Sequence, residues 1–436
     1  MSSEKIYRAD IPHFPPLDAD TGCDVLIIGG GLCGLLCAYY LTNAGANVLV
    51  CEADRIARAT TARSTAIVTS AQDVLCRDIA KRFGQSAALD VMRERNHALE
   101  SYRVLAKKLG CKYNERDYYL FTTDKASELA YEHELLKQLG FESELLAKMP
   151  LNIPMNAALK FTGQLQLDPL DFSAHIAKGL NIREGTRVTE LTPYGALAQN
   201  KSGEYKIRAR RVIIATHFPL PKIKGLFALK LYQQRSYVIA LEGVPDIGGM
   251  YEDIAEDGAY LRMYGEYLLL GGGDHRTGKS GGGFDPLMHY KNKHFPHAKA
   301  VASWATQDTV SLDGLPYIGR LCKTDERVYV ATGFGGNGFI GSMMSATILS
   351  DMALGRKNAA AKLFDPSRSM LSAQLFKNIG SSLVDYLTPT AKRCPHLGCA
   401  LKWNADEHSW DCPCHGSRFS EHGDLLNGPA QGGICE

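Results

Sequence analysis

CDVLIIGGGLCGLLCAYYLTNAGANVLVCEAD (residues 23–54) contains a buried strand, a glycine turn, a helix and a second buried strand in immediate succession. The apolar run VLII predicts a strand covered on both faces. Gly29, Gly31 and Gly34 follow this run in a Gly-x-Gly-x-x-Gly pattern. Glu52 stands at the end of the second strand. Because all five parts occur in order, the stretch predicts a dinucleotide-binding βαβ unit rather than a glycine-rich turn alone.

Each part of this unit has a physical task. The first glycine permits a tight turn, the second lets the backbone approach a pyrophosphate, and the third lets the helix pack against the strand. The backbone N–H groups of the first helical turn, which contains Leu32 and Cys33, can bind the phosphates. Glu52 can accept hydrogen bonds from the hydroxyls of the adenosine ribose and would repel a 2′-phosphate.

The next loop favours FAD over NAD. RIARATTARSTAIVT (residues 55–69) is rich in arginine and small hydroxyl residues, and Thr60, Thr61, Ser64 and Thr65 are candidate donors to the cofactor. A loop that only caps the following helix is the structural alternative.

Later segments predict a return to the same fold. Val188 is expected to contact adenine through its backbone, and Thr216, at the end of the apolar strand in RARRVIIATHFP, to lie close to the cofactor. A helix is predicted from about 338 to 354, and its N-terminus would point at the flavin ring, where its dipole stabilises negative charge. The residues of this turn are Gly336, Asn337, Gly338 and Phe339.

Alternating strands from Leu231 to Leu270 predict an antiparallel substrate sheet, inserted at about 220–305. His217, Asp274 and His275 are candidate acid–base residues of this region, although residues of this kind are more often loop residues satisfied by hydrogen bonds.

Composition limits the remaining classes. The chain has 436 residues, 45% hydrophobic and 22% charged, which suits two or three globular domains. Its net charge of +2 does not indicate binding to nucleic acid or to a membrane surface. We expect no membrane span and no signal peptide, and therefore a cytoplasmic protein.

The stretches VLIIGGGLCG, CEADRIARATTARST, LDPLDF, VIIATHFP and DGLPYIG, with VATGFGGNGF, resemble the D-amino-acid oxidase superfamily of FAD-dependent oxidoreductases. The resemblance implies FAD and the removal of a hydride from the carbon beside nitrogen in an amine or amino acid. Members that use oxygen often carry a lysine where this chain has Ile340, so the resemblance favours a dehydrogenase over an oxidase.

The family also suggests how a substrate carboxylate could be bound. Several amino-acid oxidases clamp it with an arginine on a strand, and Arg262 in AYLRMYG is the matching candidate. Arg235 in QQRSYVIA competes for this role, and a structural arginine on an edge strand is the alternative for either residue.

CPHLGC (residues 394–399) and CPCHGSRF (residues 412–419) crowd cysteine and histidine near the end of the chain. Either zinc or a Rieske [2Fe–2S] cluster could take two cysteines and two histidines from these segments.

The segments resemble the Rieske proteins of cytochrome bc-type complexes. That resemblance implies one Cys and one His ligand from each segment, a disulfide between the two remaining cysteines, and a covering loop at NGPA (427–430). The implied ligands are Cys394, His396, Cys412 and His415, and the implied disulfide joins Cys399 and Cys414. Ser417 is retained, whereas Phe419 replaces a tyrosine that raises the potential in the respiratory proteins.

Together these patterns predict an α/β protein with a Rossmann-like FAD-binding fold, an antiparallel substrate sheet and a small all-β Rieske module. The predicted boundaries are 1–355 for the FAD-dependent part, 356–386 for a connector and 387–436 for the module. Electrons from a small amine or amino acid would pass from flavin to cluster and on to an unidentified external acceptor. A reductase fed through the cluster by an external donor, and a redox sensor or electron-transfer protein, are the alternatives.

Overall fold

The computed structural model describes residues 3–220, 224–368, 390 and 392–434. The predicted connector is therefore described only up to residue 368, and its remainder lies outside the described residues.

The strands in chain order are β1 (Thr21–Ile28), β2 (Val48–Cys51), β3 (Ile67–Val68), β4 (Tyr113–Thr122), β5 (Glu144–Leu146), β6 (Ala157–Leu167), β7 (Ile182–Arg183), β8 (Arg187–Thr192), β9 (Gly195–Asn200), β10 (Gly203–Ile214), β11 (Leu231–Glu242), β12 (Met250–Asp253), β13 (Tyr260–Tyr264), β14 (Tyr267–Arg276), β15 (Lys299–Ser311), β16 (Tyr317–Cys322), β17 (Asp325–Thr332), β18 (Lys402–Asn404), β19 (Ser409–Asp411), β20 (Arg418–Ser420) and β21 (Leu425–Asn427).

The α-helices are α1 (Leu32–Asn43), α2 (Leu75–Phe83), α3 (Gln85–Leu109), α4 (Ala126–Gln138), α5 (Pro169–Ala177), α6 (Phe227–Lys230), α7 (Phe284–His294) and α8 (Gly338–Ala353). Short 3-10 helices occupy Ser3–Lys5, Thr61–Arg63, Lys224–Leu226 and Ala359–Lys362.

The first sheet has the predicted Rossmann-like arrangement. Its strand order is β16-β17-β10-β1-β2-β7, with β8 and β9 attached beside β10. Strand β1 pairs in parallel with both β2 and β10, and β10 pairs in parallel with β17. Leu26 and Ile27 on β1 are fully buried, as expected for a central strand with both faces covered. The βαβ unit predicted from the glycine pattern is therefore present.

The second sheet is broader than the predicted insertion at 220–305. Its nine strands run in the order β15-β11-β14-β13-β12-β4-β6-β3, with β5 beside β6. The strands from residues 231–311 pair antiparallel with one another, but β12 continues the sheet by pairing in parallel with β4. Strands β3 to β6 thus come from the segment between residues 67 and 167, far earlier in the chain.

Two buried helices connect the sheets to the site. Helices α1 and α8 pack against each other, and Leu35, Leu36, Met343 and Ile348 are fully buried in their shared core. The first turns of both helices line one cavity. The contact between α1 and α8 therefore places the N-termini of both helices at the same cavity.

The C-terminal module (residues 392–434) is small and all-β, as predicted. Strands β18 to β21 form one antiparallel sheet, and each strand has three residues. Its buried core consists mainly of the cysteines of the two predicted ligand segments. The members are Cys394, Cys399, Leu401, Cys412, Cys414, Phe419 and Ala430.

Within the described residues, no helix combines the length and the apolar character needed to cross a membrane.

Candidate active site and cluster site

A single cavity of about 760 Å³ lies between the two sheets and extends to the C-terminal module. Most of the residues predicted to bind FAD line this cavity. They are Gly29, Gly31, Leu32, Cys33, Glu52, Thr60, Thr61, Thr65, Val188, Thr216, Gly336, Asn337, Gly338 and Phe339. Most of these residues follow the parallel strands β1, β2, β10 and β17, so the fold brings together residues as far apart in sequence as Gly29 and Phe339.

The glycine turn has the shape that a pyrophosphate requires. A Cβ atom on Gly34 would overlap the carbonyl oxygen of Gly29, which is why Gly34 belongs to the helix–strand contact and not to the cavity lining. A Cβ atom on Gly31 would meet only the Thr61 hydroxyl, at 3.7 Å, because its other side faces the cavity. The space beside Gly31 at the start of α1 is therefore open to an anionic ligand.

Glu52 is oriented by the backbone around it. Its carboxylate accepts hydrogen bonds from the N–H of Gly30 at 2.7 Å and from the N–H of Asp54 at 2.9 Å. Burial raises its pKa, and these two donors oppose that shift. A carboxylate has about four acceptor positions, so two remain for ribose hydroxyls.

The far end of the cavity lies at the N-terminus of α8. Arg95 donates to the Asn337 side-chain oxygen at 2.9 Å, and Gln72 donates to the carbonyl of Gly335 at 3.3 Å. Gly336 has a φ of +82°, a conformation that favours glycine. The sequence predicts the flavin ring at this end of the cavity, and that placement stays a prediction.

The same end of the cavity carries carboxylates that the sequence analysis mostly missed. Asp73, Glu252, Asp274 and Asp308 all line it, and together they are named the acidic wall below. Only Asp274 was a candidate from the sequence. A period-two signal was present in WATQDTV, because Thr306, Asp308 and Val310 alternate on β15 and all face the cavity.

Arg262 does not reach the cavity. It is 1% exposed, and its guanidinium donates to the carbonyls of Ala66 and Leu167, both at 3.1 Å. Its donors thus join strand β13 to two other segments, and this position does not fit the predicted carboxylate clamp.

The other two residues predicted to be catalytic also lie outside the cavity lining. Arg235 is fully buried and forms an ion pair with Glu407 of the C-terminal module. The His275 ring stacks on Tyr237 with a centroid distance of 5.7 Å. Of the acid–base candidates, Asp274 and His217 do line the cavity, and burial lowers the pKa of His217 to about 4, so that its imidazole is neutral.

The structure brings the four predicted cluster ligands together. Cys394, His396, Cys412 and His415 are each 5% exposed or less. The thiols of Cys394 and Cys412 contact each other, and the two imidazole rings are 5.0 Å apart. The Nδ1 atom of His415 is buried and has no hydrogen-bond partner among the described residues, which leaves it available as a ligand. Two thiolates and two imidazoles in this arrangement fit a Rieske [2Fe–2S] cluster.

The second cysteine pair lies beside the ligands. The sulfur atoms of Cys399, Cys412 and Cys414 lie within 4.8 Å of one another, and Cys414 contacts Cys399. The geometry is compatible with the disulfide that the family resemblance implies, which stays a prediction.

The C-terminal module is joined to the rest of the chain by polar contacts. Besides the Arg235–Glu407 ion pair, Gln307 donates to the carbonyl of Gly416 at 2.9 Å. His415 Nε2 lies 3.1 Å from the carbonyl oxygen of Ala228. Residues 425–429 of the module, in and after β21, also line the cavity. The module is therefore one wall of the candidate active site.

The fold and the two sites define a flavin-dependent oxidoreductase that carries an iron–sulfur module. The family model for FAD-dependent oxidoreductases matches residues 24–352, and that for the Rieske [2Fe–2S] domain matches residues 384–435. The chain therefore belongs to the FAD-dependent oxidoreductase family and has a C-terminal Rieske domain, with FAD and a [2Fe–2S] cluster as its cofactors.

Similar proteins agree with this assignment. The Rieske 2Fe-2S iron-sulfur protein YhfW of Bacillus subtilis is 31% identical over 97% of this chain and 94% of its own length. The gamma-glutamylputrescine oxidoreductase of Escherichia coli is 24% identical over 80% of this chain and 88% of its own length. The crystal structure of glycine oxidase from Geobacillus kaustophilus has the same fold, with a TM-score of 0.66, 20% identity, and coverage of 80% of this chain and 100% of that one.

Proposed function

We propose that the protein dehydrogenates a CH–NH or CH–NH₂ group of an amine or amino acid and passes the electrons through its Rieske cluster to an external acceptor. The carbon beside nitrogen loses a hydride, the nitrogen loses a proton, and the product is an imine. When bound, FAD supplies the two-electron acceptor and the cluster a one-electron carrier. The similarity to gamma-glutamylputrescine oxidoreductase supports an amine-type substrate.

The observation that carries this proposal is the position of Phe218 between the two sites. Phe218 lines the cavity, and its ring centroid is 6.1 Å from the rings of both His396 and His415. Phe218 thus lies beside the flavin cavity and beside both histidine ligands. A cluster held by these histidines would therefore lie close to the flavin cavity.

An anaerobic reduction experiment tests the proposal. Full-length protein with both cofactors is mixed with a panel of amines and amino acids, and flavin absorbance and the cluster's electron paramagnetic resonance signal are followed together. We expect flavin bleaching by a member of the panel, followed by the reduced Rieske signal. Bleaching that never produces this signal would contradict the relay. Transfer only from a chemically reduced cluster to the flavin would indicate a reductase instead.

Oxygen use is tested with the same protein. Ile340 is 2% exposed in the first turn of α8, so it places no cation where oxidases of this family often have a lysine. We expect the reduced flavin to reoxidise slowly in air. Hydrogen peroxide formation as fast as the reduction of an artificial acceptor would instead show an oxidase.

A further inference from the structure

The acidic wall is formed by carboxylates from separate parts of the fold. Glu252 lies on β12, Asp274 on β14 and Asp308 on β15, while Asp73 comes from the loop before α2. All four line the cavity at the end where Gln72 contacts the N-terminal turn of α8. The carboxylates therefore lie at the end of the cavity where the flavin ring is predicted, away from Gly31 and Glu52.

The carboxylates form two pairs. The backbone N–H of Asp73 donates to the Glu252 carboxylate at 3.3 Å, and Glu252 also accepts from the Tyr118 hydroxyl. Burial raises the pKa of both Asp274 and Asp308, to about 7 for Asp308, and the charge of Asp274 raises the pKa of Asp308 further. Burial likewise raises the pKa of Glu252 to about 8. Buried carboxylates of this kind are stabilised as anions when a cation lies beside them.

Three cations of the protein lie near the acidic wall: the charges of Arg95 and Lys125 act to lower the pKa of Asp73, and the charge of Arg235 acts to lower that of Asp308. Arg95 donates to the carbonyl of Ser70 at 2.6 Å and to Asn337, and Arg235 is paired with Glu407. Lys125 donates to the carbonyl of Ile254 at 3.2 Å. These three are not among the residues that line the cavity.

The two arginines that do line the cavity lie elsewhere. The charge of Arg187 acts on Glu52 at the ribose end, and Arg63 lies near Arg418 and Glu407 of the C-terminal module. The cations that act on the acidic wall, Arg95, Lys125 and Arg235, therefore lie outside the cavity lining, and a ligand cation inside the cavity would add to their stabilisation of the carboxylates.

A separate polar group also points to a ligand at this wall. Thr306 lies two residues before Asp308, on the same face of β15, and is only 6% exposed. Its hydroxyl lines the cavity but makes no hydrogen bond with any described residue. A buried hydroxyl without a partner is costly, and a ligand N–H would satisfy it.

We propose that the substrate is an alkyl amine with two positively charged nitrogens and no carboxylate, bound along the acidic wall. One ammonium lies between Asp274 and Asp308 and donates to the Thr306 hydroxyl, and the other lies beside Asp73 and Glu252. A substrate carboxylate placed at this wall would meet four acidic side chains, so like-charge repulsion disfavours amino acids there. This inference rests on the proposed function, since it specifies the substrate of the same cavity.

Binding to the full-length protein with both cofactors tests this inference without relying on turnover. Anaerobic titration calorimetry compares 1,4-diaminobutane with 4-aminobutanoate, which has the same chain length but replaces one ammonium with a carboxylate. Butylamine and glycine extend the series. We expect 1,4-diaminobutane to bind at least tenfold more tightly than each of the others. Tighter binding of 4-aminobutanoate or glycine would overturn the inference, and this comparison requires no variant to fold.

Substitutions then locate the site. Asp274→Asn and Asp308→Asn should each weaken diamine binding at least tenfold and leave 4-aminobutanoate unchanged or bound more tightly. Asp285→Asn is the matched control, because Asp285 is an exposed acid on α7 outside the cavity lining. Unchanged diamine affinity in both cavity variants, with FAD retained, would also overturn the inference.

Flavin absorbance recorded in the same titrations separates this inference from the proposed function. A diamine that binds tightly without bleaching the flavin supports the inference and contradicts dehydrogenation. An amino acid that binds and bleaches the flavin, while the diamine does neither, supports dehydrogenation and overturns the inference.

Discussion

The flavin site and the cluster site are built in opposite ways. Around the flavin cavity, the chain positions the ligand-binding groups with a large apolar core in which Leu26, Ile27 and Leu35 are fully buried. In the C-terminal module, four three-residue strands surround a core that consists mainly of the ligand segments themselves. Units of about 40 residues seldom have enough apolar surface to fold without a metal or disulfides. The first site is thus a product of the fold, whereas the fold of the second depends on its site.

Removal of a cluster ligand should have the largest effect. Cys412→Ser should abolish cluster binding and unfold the module, because metal-site free energy is folding free energy in so small a unit. FAD content should stay stoichiometric. Iron analysis, electron paramagnetic resonance and limited proteolysis report on the module, and absorbance reports on flavin. Cys322→Ser, which alters a half-buried cysteine of the first sheet, is the control. If the module of Cys412→Ser contains no iron but still resists protease, its fold does not depend on the cluster.

Loss of the other cofactor should leave the fold intact. Gly31→Val should give colourless protein, because the added side chain projects from the start of α1 into the space where a pyrophosphate would bind. Circular dichroism and thermal unfolding should match those of wild-type protein stripped of FAD. Gly34→Ala is the informative comparison, since its methyl group would overlap the Gly29 carbonyl and should destabilise the fold itself. Stoichiometric flavin in Gly31→Val would show that the cofactor binds differently.

Loss of the ion pair between Arg235 and Glu407, which joins the C-terminal module to the second sheet, should have an intermediate effect on stability. Glu407→Gln leaves the fully buried Arg235 without its carboxylate partner, a change that costs about 3–5 kcal/mol for buried pairs. We expect denaturant unfolding of the full-length protein to shift accordingly and flavin-to-cluster electron transfer to slow. Glu326→Gln breaks an exposed pair with Arg320 and should cost no more than about 1 kcal/mol. Equal effects of the two variants would mean that Arg235 does not hold the module in place.

The smallest expected effect concerns the cluster potential. Phe419 is fully buried among the cluster cysteines and cannot donate a hydrogen bond, whereas Ser417 contacts the sulfur of Cys394. Donors to sulfur favour the reduced, more negative cluster, so Phe419→Tyr should raise the potential and Ser417→Ala should lower it. A one-electron shift of about 59 mV corresponds to about 1.4 kcal/mol, so protein-film electrochemistry should resolve one hydrogen bond. The wild-type potential should stay within about −150 to +300 mV. A Phe419→Tyr potential equal to the wild-type value would show that the ring does not reach the sulfur.

The two regions also differ in how far the sequence predicts them. The glycine turn with Glu52 and the two Cys–His segments are local patterns, so the sequence predicts a dinucleotide site and a metal or cluster site at these positions. The following loop and the family resemblance then indicate FAD and a Rieske cluster. The partners of Arg262 are not local, because Ala66 and Leu167 lie 196 and 95 residues away. Glu407 likewise lies 172 residues from Arg235. Periodicity identifies strands but not which strands meet, so the carboxylates of the acidic wall could not be grouped before the fold was known.

The contact between residues 425–429 and the flavin cavity has a kinetic consequence. Because the two redox sites are held in one chain, the transfer of an electron between them is a unimolecular step whose rate does not depend on protein concentration. A separate iron–sulfur protein would have to diffuse to the flavoprotein for each electron, and its rate would fall with dilution and with rising ionic strength. Tethering replaces that encounter with an effective concentration set by the geometry of the fold. Under the proposed function, only the final transfer, from the cluster to the external acceptor, would be bimolecular.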